Sequence, residues 1–126
     1  MERKLLNPEK HDILAKLCRG AGFSEGLRKV TSEDLVIFEC TSIQELEELV
    51  LSAVSAMREM VGIETETLAI ECALALDGGT ATNLSGRREE FLFTETFSMR
   101  TLMRKEDRGI DLIVTTMSRV RSKRTA

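Results

Sequence analysis

A strictly alternating apolar segment at residues 67–76 (TLAIECALAL) is the feature that most constrains the fold. Apolar side chains larger than Ala occupy one set of alternate positions, and after Thr67 the other set holds only Ala and Glu. Because successive side chains of a β-strand point to opposite faces, this two-residue period predicts a strand. Its Ala-lined face would be smooth enough for another sheet or subunit to approach closely. The predicted interface residues on this face are Ala69, Glu71, Ala73 and Ala75.

Two other segments carry the signals of amphipathic helices. Asn7 and Pro8 suit an N-cap and a first helical position, and apolar residues recur at helical spacing after them. Ser42 and Glu45 have capping-box spacing and precede a long apolar stripe that closes near Gly62. The remaining extended segments are predicted strands, at residues 2–6, 26–30, 35–40, 90–99 and 110–117.

The order of these elements is β-α-β-β-α-β followed by a hairpin, which is typical of a ferredoxin-like plait. We therefore expect an α+β fold in which two helices cover one face of an antiparallel sheet. The length of 126 residues suits one domain. We assign residues 1–118 to this domain, with the plait at 1–76 and an added C-terminal β-hairpin at 89–118. Residues 119–126 form a basic C-terminal tail.

Three short motifs resemble one regulatory family. Residues 30–35 (VTSEDL) match a turn and strand, residues 46–49 (LEEL) match the following helix, and residues 62–68 (GIETETL) match the entry to the last strand. Over residues 23–73 the chain thus resembles the small-ligand regulatory domain of the Lrp/AsnC (feast/famine) regulators. The resemblance implies a plait that binds a small metabolite at a subunit interface. No helix-turn-helix precedes these motifs, so the resemblance implies a stand-alone regulatory or assembly module.

The composition excludes most catalytic arrangements. The chain has one His, no Trp, no Tyr and five Phe. A histidine-based metal site, a Ser-His-Asp triad or a Cys-His dyad would all have to use His11. Cys18, Cys40 and Cys72 have no ligand spacing, which indicates buried thiols rather than a metal or redox site. We therefore expect no cofactor, no metal and a non-catalytic role.

Nothing in the sequence indicates a membrane or secreted protein. No apolar run reaches the roughly 18 residues needed to span a bilayer. The charged N-terminal residues do not continue into an apolar stretch, as those of a secretory signal do. We therefore expect a cytoplasmic location and no membrane partner.

A segment rich in turn-forming residues follows at residues 77–88. Glycines directly after a strand can expose backbone N–H groups to an anion, and polar side chains that follow could complete a site. A phosphate loop also needs a following helix and usually a lysine. The expected strand-to-strand connection lacks both, so a plain loop stays open as the alternative. The candidate ligand-binding residues are Asp77, Gly78, Gly79, Thr80, Asn83, Arg87 and Arg88.

Charge is distributed unevenly along the chain. Residues 97–126 carry eight basic and three acidic residues, a balance of +5, so the rest of the chain carries −8. A basic end of this kind suits a solvated tail, association with the acidic part of another copy, or contact with nucleic-acid phosphates. The candidate nucleic-acid residues are Arg119, Arg121, Lys123 and Arg124. Further candidate interface residues, alternating along a predicted strand, are Phe91, Phe93 and Phe97.

These patterns together predict a non-catalytic, homo-oligomeric regulatory or assembly module that binds a small metabolite at a subunit interface. Two alternatives stay open. The first is a nucleic-acid-associated or complex-assembly subunit that uses the basic C-terminus. The second is a small enzyme whose active site forms between subunits, with Glu71 or Asp77 as the acid beside Arg87 or Arg88.

Overall fold

Seven α-helices and no β-strand make up the described part of the chain. The computed structural model describes residues 7–76 and 83–125. The helices are α1 (Pro8–Leu17), α2 (Phe23–Leu27), α3 (Ser32–Ile37), α4 (Ile43–Arg58), α5 (Glu64–Ala73), α6 (Leu84–Phe93) and α7 (Met99–Thr125). The predicted α+β ferredoxin-like plait with its C-terminal β-hairpin is therefore wrong. The resemblance to the Lrp/AsnC regulatory domain is wrong for the same reason, because that domain is built on a sheet.

The two helices with clear caps are confirmed. At the start of α1 the side chain of Asn7 accepts the backbone N–H of Lys10 at 3.0 Å, and Pro8 is the first helical residue. At the start of α4 the Ser42 hydroxyl accepts the N–H of Glu45 at 3.1 Å. Each cap satisfies a backbone donor that has no partner within its helix, so these two starts could be located from sequence.

The alternating segment forms most of α5 rather than a strand. Most of its residues are buried, among them Thr67, Ala69 and Ile70, whereas Leu68 keeps 52% of its surface exposed. A helix that is buried all round shows no single apolar stripe, so the helical period of 3.6 residues is absent from its sequence. The Ala, Leu and Glu residues that fill the segment are good helix formers, so their local preference is compatible with the buried helix.

The segments predicted as strands at residues 26–30 and 35–40 belong largely to the short helices α2 and α3 and to the turns after them. Thr31 and Asp34 form a reciprocal capping box, in which each side chain accepts the other residue's backbone N–H at 3.1 Å. This box starts α3 directly before its β-branched residues. The predicted strand at residues 2–6 lies outside the described residues.

The predicted hairpin at residues 89–118 is replaced by α6 and the first two thirds of α7. Residues 110–117 contain several β-branched side chains, which favour a strand locally. However, Leu102, Ile110 and Ile113 face the interior from one side of α7, and this burial overrides the local preference. The same helix continues through most of the predicted basic tail, as far as Thr125.

The hydrophobic core lies mainly between α4, α5 and α7, which contact one another extensively, and α1 packs against α7. The approach of α5 to α7 is unusually close at Gly109. A Cβ atom built there would lie 2.8 Å from Cβ of Ile70 and 3.1 Å from the carbonyl oxygen of Glu66. The missing side chain therefore allows the two helices to touch along their backbones.

Candidate functional site

The predicted ligand loop lies mostly outside the described residues. Asp77, Gly78, Gly79 and Thr80 all fall there, so their predicted role in ligand binding stays a prediction. Asn83 lies at the start of α6, where its side chain accepts the backbone N–H of Gly86 at 2.7 Å. That geometry is an ordinary N-cap, and a helix does follow this loop after all.

Arg87, another predicted ligand-binding residue, is completely buried. Its guanidinium donates to three backbone carbonyl oxygens, those of Cys18, Gly20 (2.8 Å) and Ala73 (3.0 Å). Cys18 and Gly20 close the end of α1, and Ala73 is the last residue of α5. Carbonyls at helix ends lack partners within the helix, so this side chain satisfies two helix C-termini at once. We call this arrangement of Arg87 and the three carbonyls the arginine clamp.

Three half-buried or buried ion pairs join the helices around the arginine clamp. Arg88, also a predicted ligand-binding residue, donates to the buried Glu106 carboxylate at 2.7 Å. The hydrogen bond and charge of that carboxylate raise the pKa of Arg88. The other two pairs join Lys105 to Glu66 at 3.1 Å and Arg58 to Glu71 at 2.9 Å.

The residues predicted to form an interface do not share one surface. Ala69 and Ala73 are enclosed within the chain, and Glu71 is buried beside Arg58. Ala75 ends α5 in the left-handed backbone conformation, with φ of +60°. Alternate residues of a helix do not lie on one face, so the formation of α5 separates these side chains. No finding tests whether any of them contacts another subunit.

The three predicted interface phenylalanines lie around the turn between α6 and α7. The rings of Phe91 and Phe97 pack against each other with centroids 6.1 Å apart. Phe93, by contrast, has 92% of its surface exposed. Their role in association stays a prediction.

The predicted nucleic-acid residues lie along the last third of α7. Arg119 is exposed, whereas Arg121 donates to the carbonyl oxygens of Phe38 at 2.8 Å and Glu39 at 3.3 Å. Arg121 therefore caps the C-terminal end of α3. Lys123 and Arg124 belong to the final turns of the helix, and no finding tests their binding to nucleic acid.

A row of three arginines on α7 was missed by the sequence prediction. Arg100, Arg104 and Arg108 recur every four residues, so they lie on one side of the helix about 6 Å apart along its axis. All three are exposed, and within residues 7–76 and 83–121 none donates a side-chain hydrogen bond or forms an ion pair. We call these residues the arginine row.

The arginine row has an unfavourable charge pattern and apolar neighbours. Like charges four residues apart on a helix repel one another. Met99 and Met103 lie beside the row on α7 and keep 37% and 44% of their surface exposed. The row therefore presents exposed positive charge next to apolar surface, a combination that suits a binding partner.

The described residues offer no metal centre and no activated thiol. No group of His, Cys, Asp and Glu among them could hold a metal ion. His11 Nε2 is buried and has no hydrogen-bond partner there, and it lies 3.9 Å from a carboxylate oxygen of both Asp107 and Asp111. Burial, together with the negative charge of Glu106, raises the pKa of the Cys18 thiol to about 12, so this thiol stays protonated at neutral pH.

Comparisons with known proteins give no relative for this arrangement. No helix in the described part of the chain is both long and apolar enough to cross a membrane. No protein-family model, no curated protein and no solved structure matches the chain.

Proposed function

We propose that this protein is a non-catalytic assembly module that associates with a second copy of itself. In this proposal the arginine row on α7 of one copy binds the exposed acidic face of α4 on the other. The observation that carries the proposal is the arginine row itself, because three exposed guanidinium groups repel one another and none of them forms an ion pair within the described chain.

The distribution of charge favours a second copy as the partner. The sequence of α7 holds eight basic and three acidic residues, and the remainder of the chain has a balance of −8. A second copy brings an acidic surface to α7, whereas a nucleic acid would be repelled by the acidic remainder of the same molecule.

The exposed face of α4 supplies matching chemistry. Glu47 and Glu48 are exposed there. Leu51, one turn further along the same helix, keeps 39% of its surface exposed. Carboxylates beside an apolar side chain complement guanidinium groups beside Met99 and Met103. Arg and Met are enriched at protein interfaces, and apolar contact gives affinity that exposed charge alone does not.

Sedimentation velocity tests this proposal with a matched pair of variants. At about 50 mM NaCl we expect a dimer that dissociates at about 500 mM, because salt screens exposed charges. Arg104→Glu should weaken association by about tenfold. Arg28→Glu changes the net charge equally at an exposed position outside α7, and it should leave association unchanged.

A mixing experiment identifies the face that the arginine row binds. Glu48→Arg should weaken association as Arg104→Glu does. An equimolar mixture of the two variants should regain affinity, because each contact in the mixed dimer then joins opposite charges. A 14.1 kDa monomer at low salt, or equal effects of Arg104→Glu and Arg28→Glu, would refute the proposal.

The regular spacing of the arginine row also favours a second candidate, binding to nucleic-acid phosphates. Fluorescence anisotropy with a labelled DNA or RNA oligonucleotide distinguishes the two. Binding that falls steeply with salt and with Arg104→Glu, by a chain that sediments as a monomer, would establish this second function instead.

A further inference from the structure

A cleft of about 260 Å³ lies between α1, α2 and the start of α3, and none of the predicted ligand-binding residues lines it. Its apolar wall consists of the buried Ile13 and Leu17 together with Val30. Three cationic side chains stand around this wall, those of Lys16, Arg19 and Lys29. A small cleft with an apolar wall and a few polar groups is the usual form of a site for a small molecule.

The charge around this cleft is mainly positive. Within the described chain, Lys16 and Arg19 form no ion pair and donate no side-chain hydrogen bond. The nearest acid in the wall is Asp34, whose carboxylate already accepts the backbone N–H of Thr31. Lys29 lies 3.7 Å from Glu25, but a pair between such exposed side chains gives little stabilisation.

The arginine clamp removes the ordinary explanation for these cations. Lys and Arg residues are favoured at a helix C-terminus because its exposed carbonyls carry partial negative charge. At the end of α1, however, the carbonyls of Cys18 and Gly20 already accept hydrogen bonds from the buried Arg87. Lys16 and Arg19 therefore add their charges to an end whose negative potential is already neutralised. The apolar wall lowers the local polarity and strengthens the attraction for an anion.

We propose that this cleft binds a small amphipathic anion, a short aliphatic chain that ends in a carboxylate or a phosphate group. Lys16 and Arg19 bind the anionic group, and the aliphatic chain packs against Ile13, Leu17 and Val30. The proposal does not depend on self-association through α7, because none of these residues belongs to the arginine row or to α4.

Nuclear magnetic resonance of the full ¹⁵N-labelled chain tests the site with defined probes. Octanoate and hexyl phosphate carry the two candidate anionic groups, and octanol is the uncharged control. We expect octanoate or hexyl phosphate to shift the amide signals of Ile13, Gly26 and Val30 in a saturable manner. Octanol should bind at least about fivefold more weakly, because it lacks the charge. The stronger of the two anions identifies the preferred group.

Variants at the cleft provide the decisive comparison. Arg19→Gln should weaken binding of the better anion by about fivefold, and Lys16→Gln should act in the same direction. Arg28→Gln removes an exposed charge that does not line the cleft, and it should bind as the unaltered chain does. The proposal fails if neither anion shifts the cleft amides, if octanol binds equally well, or if Arg19→Gln and Arg28→Gln behave alike.

Discussion

Replacement of Arg87 by Met tests whether the arginine clamp holds the ends of α1 and α5 together. The substitution keeps a long side chain in the same space but removes every donor. It leaves two buried carbonyl oxygens, those of Cys18 and Ala73, and the partly buried one of Gly20 without this partner. An unsatisfied buried acceptor costs about 1–3 kcal/mol. The change also removes the cost of burying a charge, so we expect a net loss of about 3–5 kcal/mol.

A loss of this size is a large share of the stability of a small protein, which is about 5–15 kcal/mol in total. The stability of Arg87→Lys should lie between that of Arg87→Met and that of the unaltered chain. A lysine keeps the charge, but its one ammonium group cannot reach three carbonyls as a planar guanidinium does. This variant keeps the experiment informative if Arg87→Met does not fold.

Urea denaturation followed by circular dichroism measures these free energies. Arg28→Met is the control, because Arg28 is exposed and should change stability by no more than about 0.5 kcal/mol. If Arg87→Met lies within that range of the control, the arginine clamp does not stabilise the fold, and the predicted role of Arg87 in ligand binding becomes the better explanation of the residue.

Two further predictions concern the contact of α5 with α7. Gly109→Ala should lower the free energy of unfolding by about 1 kcal/mol, because the steric cost of the new methyl group against Ile70 exceeds the gain in helix propensity. A higher free energy of unfolding would contradict the close approach of the two helices. Burial by itself would raise the pKa of Glu66, but hydrogen bonds from Lys105 and Thr65 outweigh it and hold the pKa below its ordinary value of 4.5. Because the pKa is lowered in the folded state, the ionised carboxylate stabilises the protein above pH 4.5, and this stabilisation is lost as the pH falls below that value. Denaturation at neutral and at acidic pH measures the effect. The free energy of unfolding should fall less on acidification for Glu66→Gln than for the unaltered chain. Equal losses would disprove it.

The arginine row illustrates how a wrong prediction of secondary structure conceals a candidate site. Its four-residue spacing is present in the sequence, but residues 100–109 lie between two predicted strands, where an extended hairpin or one short helical turn is expected. In an irregular segment, residues four apart have no fixed spatial relation. In a helix the same spacing places the three arginine side chains on one face. The basic balance of the C-terminal region was visible without any structure, since it depends only on composition.

Arg87 shows the opposite case, in which no local signal exists. The three carbonyls that it binds lie 14, 67 and 69 residues away along the chain. Arg87 is a predicted ligand-binding residue because it lies at the end of a segment rich in turn-forming residues and could supply charge for an anion. The cations of the cleft at Lys16 and Arg19 also meet Lys29 only after α1 and α2 have packed together.

The sequence by itself determined the starts of α1 and α4, the scarcity of catalytic residues and the uneven charge, because each depends on neighbouring residues or on composition. Only the tertiary structure decided that residues 67–76 and 110–117 are mainly helical. Burial on most sides removes a clear amphipathic period from the first segment, and packing overrides the local preference of the β-branched residues in the second. A local sequence pattern reflects only residues that are neighbours along the chain. The conformations of these two segments depend on contacts with helices that are distant in the sequence.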